Sequence, residues 1–441
     1  MSEYFVFVQE SITFYKLIPE TPPNPLFPPQ GSILPHILLP LSLFLSLASP
    51  PFRFRGNLWT LIISFLVYAA WIDPWPPSPE PRYALNNSWF FVLPVIEKIL
   101  LHIPEKEFWN MEREKEEGIR YIERDEWGRK WWWAAALFCN PRGVGWNFEP
   151  KHCIPKVDSA NERKWQFLLK QLLRASVWYV VADAIGALLR RQPELPMEWS
   201  WEAKVVKRLL VVECAMAVVT YASWTFQWTV ASIFGVGFQL SRPKVHLFSL
   251  SSLFVVADYY CVKDWPPFFG SIFDCTTVGR FWGTFWQQML HQSLLGYSRA
   301  INRLLHIPRR TKLSYLVHLL FGFFVTSFFH WLSISAVTEL SSYFIFKNVS
   351  IFFMGQALAI LVESIVVDFF RNRHGKAGLP HDKPTFKNFH DLAERMLGYV
   401  WTVSWLMVSG WWFVRVYTRV GMEKWQLPFP IVEPLLKHLC H

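Results

Sequence analysis

The sequence predicts an all-α fold, a polytopic transmembrane helical bundle of about eight spans (seven to nine), and three observations predict it. Of 441 residues, 52% are hydrophobic, 18% aromatic and only 18% charged, too little charge to cover a water-soluble protein of this size. Apolar stretches close to the ~20 residues that cross a bilayer recur along the chain. The net charge of +10 falls in the segments between those stretches, where basic residues set topology and meet anionic headgroups.

In order, the spans read as 32–50, 58–75, 88–103, 166–189, 206–236, 314–338, 343–369 and 395–417. Pro35 and Pro40 kink the first unless neighbouring helices satisfy its backbone. The third is short and carries Glu97 and Lys98; the fifth is long enough to tilt, or to break near Gly235 and Gly237. Ahead of them, residues 1–31 hold Glu3, Glu10 and Glu20 against Lys16 and a Pro-rich piece from Thr21 to Pro29, unlike a secretory signal.

Basic loops orient the chain. Arg53 and Arg55, the segment 299–312 (Arg299, Arg303, Arg309, Arg310, Lys312) and the segment 370–394 (Arg371, Arg373, Lys376, Lys383, Lys387) belong on the cytosolic side. Arg190 and Arg191 then fall on the other side, against that tendency. The sequons Asn86-Asn87-Ser88 and Asn348-Val349-Ser350 land in lumenal turns.

Two segments are cytosolic or interfacial. In 104–165, the charge run Glu105 to Lys130 reads as a solvated helix face before Trp131, Trp132 and Trp133; in 237–313, short helices lie in or under the membrane surface. The whole of 1–441 reads as one membrane domain, with C-terminal helices over 314–417. The six cysteines, Cys139, Cys153, Cys214, Cys261, Cys275 and Cys440, form no CxxC pair and suggest neither a disulfide framework nor a zinc or other metal site. No basic module of nucleic-acid-binding shape is present.

Polar residues within spans are costly and mark candidate sites. They are Asp183, Glu213, Gln227, His330, Gln356, Glu363 and Asp368. Glu363 and Asp368 lie near a span end and read as partners of Arg371; Asp183 and Glu213 read as pairing with basic residues or neighbouring helices. His330, in Phe328-Phe329-His330-Trp331-Leu332, has no acidic residue within four positions and lies roughly 24 Å along its helix from Ser314. It is either a histidine satisfied by another helix or a neutral general base for a hydroxyl. A second constellation runs from Phe281 to His291. On one continuous helix Gln287 and His291 share a face that could present donors, and Phe281, Phe285 and Met289 share another. An ordinary aromatic interfacial helix would look the same.

These residues carry a resemblance. Pro266-Pro267-Phe268-Phe269-Gly270-Ser271, then Phe281-Trp282-Gly283-Thr284-Phe285-Trp286-Gln287, then His330 resemble the wax-synthase branch of the membrane-bound O-acyltransferases. Pro141-Arg142-Gly143-Val144-Gly145-Trp146-Asn147 is similar to the Arg-Gly stretch of its fungal members. Length, tryptophan load and the Pro-rich start resemble the fungal acetyltransferases of terpenoids and meroterpenoids. The resemblance implies acetyl transfer from acetyl-CoA, a co-substrate rather than a bound cofactor, to a hydroxyl of a lipophilic scaffold in the endoplasmic reticulum. It implies that His330 is the catalytic base. It also implies that the aromatic motif, with Phe281, Trp282 and Trp286, holds the acyl-CoA end. Where many relatives carry Asn or His this chain has Gln287, so Gln288 and His291 stay open as alternatives for that polar role.

Other classes fit less well. A transporter would favour two related halves with broken helices, and no internal symmetry is visible. A prenyltransferase needs paired acidic motifs for magnesium and diphosphate, which the span residues do not form. Wax-ester synthesis from long-chain acyl-CoA is the alternative within the acyltransferases; Phe324, Phe328 and Phe329 are residues that could close an acyl pocket against it.

Overall fold

A computed structural model describes residues 31–118, 122, 127–150, 153–155, 157, 162–191, 208–237, 265–374 and 389–439. Every regular element among them is helical. The main helices are α1 (Leu34–Ala48), α2 (Arg55–Ile72), α3 (Pro79–Asn86), α4 (Val92–Leu101), α5 (Trp127–Phe138), α6 (Lys164–Arg190) and α7 (Cys214–Gly237). After the 265–285 segment come α8 (His291–Leu304), α9 (Lys312–Ser335), α10 (Ser342–His374), α11 (Phe389–Val420) and α12 (Val432–Leu439).

Five stretches among the described residues are long and apolar enough to cross a membrane: Arg55–Ile72, Pro79–Leu101, Lys164–Arg190, Lys312–Ser335 and Ser342–Phe369. The third expected span therefore starts earlier than residue 88, because α3 continues into α4 through a 3-10 turn, Asn87–Phe91. Pro35 sits in the first turn of α1, where its missing N–H costs nothing, and Pro40 lies within the helix. Leu61, Phe65, Leu173 and Leu397 are 66% or more exposed, a cost in water but not in lipid.

Polar contacts sort the helix ends into two faces of the bundle. At one face the Ser32 N–H donates to Asp73 (3.0 Å), the Trp71 indole to Ser335 (2.9 Å), and Arg82 to the Ala336 carbonyl (3.3 Å). Arg190 there donates to the Trp425 carbonyl (2.9 Å) and pairs with Glu433 (3.1 Å). Its charge is thus met within the protein. Asp183 accepts the N–H groups of Ile431 and Val432 (2.7 and 2.8 Å). It thereby supplies donors at the start of α12 with the acceptor they lack. At the opposite face Lys130 donates to the Ser49 carbonyl (2.9 Å), Lys164 to the Gly237 carbonyl (3.0 Å), and Lys312 pairs with Asp368 (3.0 Å).

Several expectations are corrected. Glu105 opens the charge run but is fully buried, paired with Arg55 and with Lys130 (3.0 Å), so the run begins as an internal ion cluster and not as a solvated face. Glu97 and Lys98 are buried too; Lys98 lies over the Phe148 ring (4.8 Å). Neither sequon is in an open turn. Asn86 ends α3 with no exposure, and Asn348 lies inside α10, donating to the Phe344 carbonyl (2.7 Å).

The largest cluster of buried apolar residues joins α1, α2 and α4 through Leu39, Leu43, Leu47, Ile63 and Val95 to Trp89 and to Leu332 of α9. A second joins α9, α10 and α11 through Ile334, Ile345, Phe353 and Val416. Residues 265–285 sit beside the second cluster, against which the ring of Trp282 packs.

Candidate active site

His330 lies on α9 among three rings. Phe353 of α10 stacks on it (centroids 4.9 Å, planes 16° apart), and Phe413 of α11 (5.4 Å) and Phe90 (5.8 Å) meet it edge-on. No hydrogen bond to its ring is made by the described residues. The imidazole is half-buried among apolar rings, and a ring nitrogen stays available to a reactant.

Helix α10 is the spine of the site. Phe353, Gln356, Ile360 and Glu363 are spaced three, four and three apart, which places them on one face. Phe353 touches His330 and, at 6.1 Å, Trp282. Gln356, with no exposure, accepts from the Trp282 indole (3.3 Å) and donates to Ser409 (2.9 Å). Glu363 accepts from the Val278 and Gly279 backbone (2.7 and 3.0 Å) and from the Trp401 indole (2.7 Å). The Arg371 side chain, the expected partner of Glu363 and Asp368, lies outside the described residues; among the described ones Glu363 binds backbone and indole donors and Asp368 pairs with Lys312. Backbone N–H groups opening a helical turn need acceptors, and a neighbouring carboxylate is stronger than a neutral one.

The motif is not one helix. A short helix, Val278–Arg280, leads into a π turn, Phe281–Phe285, after which the chain is irregular until α8 starts at His291. Gln287 and His291 therefore do not share a helix face. The two glutamines brace the break locally, as side chains that compete with helical backbone bonds do. Gln287 Oε1 accepts the Met289 N–H (2.8 Å). Gln288 is buried, and its Nε2 donates to the carbonyls of Trp282 (3.1 Å) and Trp286 (2.5 Å). Burial, then the nearby Arg299 charge, hold the His291 imidazole below its ordinary value. The structure brings Trp282 to His330 through a shared ring, whereas Gln287, Gln288 and His291 form no hydrogen bond with His330.

On the side away from α10, Phe281, Phe285 and Trp286 pack with Phe268, Phe269 and Tyr221 of α7. That layer is held by Arg142, a residue whose mechanical part the sequence did not reveal. Arg142 is 1% exposed, donates to the carbonyls of Pro266 (3.4 Å) and Pro267 (3.1 Å), and lies over the Trp228 and Phe268 rings (5.1 and 5.9 Å). The two motifs read separately in the sequence thus form one unit. Phe324 and Phe328 are 52% and 38% exposed and Phe329 packs toward α1–α4, so none of the three forms the cage around His330.

Residues 265–354 match the membrane bound O-acyl transferase family. Over 384 residues the chain is 27% identical to Acetyltransferase ple2 of Rhodocybe pseudopiperita, covering 87% of this chain and 89% of that one. It is 25% identical to Acetyltransferase eriL of Hericium erinaceus over 312 residues, 69% and 71% of the two chains. The chain is an acyltransferase. To O-Mevalon transferase macI of Penicillium terrestre it is 26% identical over 233 residues, 49% of this chain and 47% of that one. No solved structure matches this acyltransferase. The family match takes in the aromatic turn, His330 and Phe353 and stops short of Gln356 and Glu363.

Proposed function

We propose that this acyltransferase moves an acetyl group from acetyl-CoA to a hydroxyl of a lipophilic secondary metabolite, a terpenoid or meroterpenoid, in the endoplasmic reticulum membrane. The observation that carries the reading is His330, caged by Phe90, Phe353 and Phe413 and one ring removed from Trp282. His330 takes the proton of the acceptor hydroxyl as its oxygen attacks the thioester carbonyl carbon. The carbon–sulfur bond then breaks, and the proton passes to the departing coenzyme A thiolate. The carbonyl oxygen gains charge on the way, and the Gln287 amide nitrogen is the donor assigned to it. Gln288 is a poorer choice because its nitrogen already serves two carbonyls, and His291 because it begins a separate helix.

Acetyl in preference to a long acyl chain is supported by the three rings crowding His330 and by the names of two relatives. The alternation of helix ends between two faces supports eight passes, with the Lys312–Asp368 face cytosolic. Coenzyme A, a polyanion, arrives from that basic side, and the acceptor arrives from the bilayer. The test is labelled ester formation in yeast microsomes by wild type and His330→Ala, with acetyl-CoA and palmitoyl-CoA offered beside hydroxylated terpenoids and long-chain alcohols. A terpenoid acetate that is lost in the mutant at equal protein level is expected. A palmitoyl ester of a long-chain alcohol would replace the reading with wax-ester synthesis, and full activity in the mutant would remove His330 as the base.

A further inference from the structure

A carboxylate within a span is costly unless it is matched, and among the described residues the hydrogen bonds to Glu363 come from neutral donors. Oε1 accepts from Val278 N–H and Trp401 Nε1, and Oε2 from Gly279 N–H. Val278 and Gly279 open the short helix that runs directly into the π turn Phe281–Phe285. The same turn is fixed again at Gln356, seven residues or ~10 Å back along α10, by the Trp282 indole. Phe353 follows three residues further and stacks on His330. One helix face therefore sets three points: the backbone at 278–279, the ring of Trp282, and the imidazole. From Glu363 to Phe353 the distance along the helix is ~15 Å, a length comparable to an extended pantetheine arm running from the coenzyme to a buried thioester.

We propose that Glu363 is a positioning residue for acyl transfer, which sets the aromatic turn against His330 and so governs binding of the coenzyme A thioester; the assignment rests on the donor reading above. The backbone that Glu363 holds is wedged tightly, since a Cβ on Gly398 of α11 would collide with the Thr276 carbonyl. The segment cannot shift toward α11 to compensate. In this proposal the acceptor enters beside Phe90, which borders His330 from the 3-10 turn Asn87–Phe91 and forms no bond with Glu363. Replacement by leucine leaves the Val278 and Gly279 N–H groups and the Trp401 indole without their shared acceptor, a loss the segment relieves by moving. Glutamine keeps one acceptor oxygen but turns an NH₂ group toward an N–H, so it restores part of the arrangement.

The experiment uses purified full-length protein in detergent, as wild type, Glu363→Gln and Glu363→Leu. Equilibrium binding of coenzyme A is measured first, then KM for acetyl-CoA and for the acceptor alcohol. Glu363→Leu is expected to weaken coenzyme A binding and raise the acetyl-CoA KM about tenfold or more, with the acceptor KM within about twofold and Glu363→Gln in between. Should the leucine variant not fold, the glutamine variant decides by the same donor-side shift at an unchanged melting temperature. Unchanged coenzyme A binding in a folded variant, or equal rises in both KM values, overturns the assignment. A wild type that binds no coenzyme A sinks the donor reading and this assignment together, an outcome distinct from wild-type binding that the variants share.

Discussion

Phe353 and His330 lie face to face, 4.9 Å between centroids, and among the described residues Phe353 is the ring that meets both the imidazole and Trp282. Large-to-small replacement at a buried aromatic removes contacts and leaves a cavity, at about 3–5 kcal/mol for alanine. Phe353 is 2% exposed, so that range applies. Phe353→Leu retains most of the volume but not the flat surface against the imidazole. We expect Phe353→Leu to melt close to wild type yet lose ester formation by tenfold or more, with initial rates normalised to folded protein as the check. Rates equal to wild type would mean that the stack does not orient His330.

Arg142 holds the Pro266–Pro267 carbonyls through a planar fork and is stacked on two rings. Lysine has neither the fork nor the flat face. Burial pulls the Arg142 guanidinium down to about 10, with Glu149 opposing, so it is charged at neutral pH and its bonds are charge-assisted. Arg142→Lys is predicted to cost about 2 kcal/mol, measured as a shift in thermal or urea unfolding. Trp228 still donates to the Pro266 carbonyl (3.0 Å), which limits the loss. A variant as stable as wild type would show that the rings alone hold the two motifs together.

Much of this was legible in the sequence, and the failures share a cause. Five apolar stretches follow from hydropathy, a local property, while the aromatic motif and His330 stood out by residue type and by the family resemblance. Glu363 was visible as a polar residue in a span, but its partners at 278, 279 and 401 are distant in sequence. A search for the nearest basic residue in the chain therefore could not find them. Glu105 failed in the same way: within its own segment it belongs to a charge run, and only the folding of α2 and α5 against it brings Arg55 and Lys130 to one carboxylate. The break after Phe285 was missed for another reason. A helical spacing of Gln287 and His291 is compatible with a helix, but glutamine amides bonded to the backbone stop it.

The Arg55–Glu105–Lys130 cluster makes stability pH-dependent. Burial raises the Glu105 carboxyl, but the bonds from Arg55 and Lys130 outweigh it and hold the group below its ordinary range. A carboxyl with a depressed folded-state value contributes fully above its unfolded value and loses that contribution as pH falls through the folded one. Melting temperatures of the wild type should therefore fall as the medium passes from neutral into and below the ordinary carboxylate range. Glu105→Gln should be destabilised at neutral pH by about 3–5 kcal/mol, because two buried cations lose their counter-charge, and its acid slope should be shallower. Parallel slopes for the two proteins would place the acid sensitivity elsewhere.

Two glycines of the matched segment separate packing from mere presence in a motif. Gly270 donates its N–H to the Phe285 carbonyl (2.8 Å), and a Cβ there would strike the Thr284 carbonyl oxygen and lie 3.1 Å from the Phe285 Cα. Both obstacles are backbone, so neither can swing aside as a side chain would. Gly283 lies in the π turn itself, and a Cβ on it meets nothing within 4 Å. Neither glycine has the positive φ that would bar alanine. Overpacking costs about 1–3 kcal/mol, and Gly270→Ala must in addition spread two segments that carry Phe269 and Phe285 in contact. Gly270→Ala should therefore lower the melting temperature and loosen the aromatic layer, while Gly283→Ala should melt at or slightly above the wild-type temperature, since alanine restricts the unfolded chain. Thermal unfolding of the two variants side by side decides the matter: equal destabilisation would mean that the turn is packed more tightly around residue 283 than its open surroundings indicate.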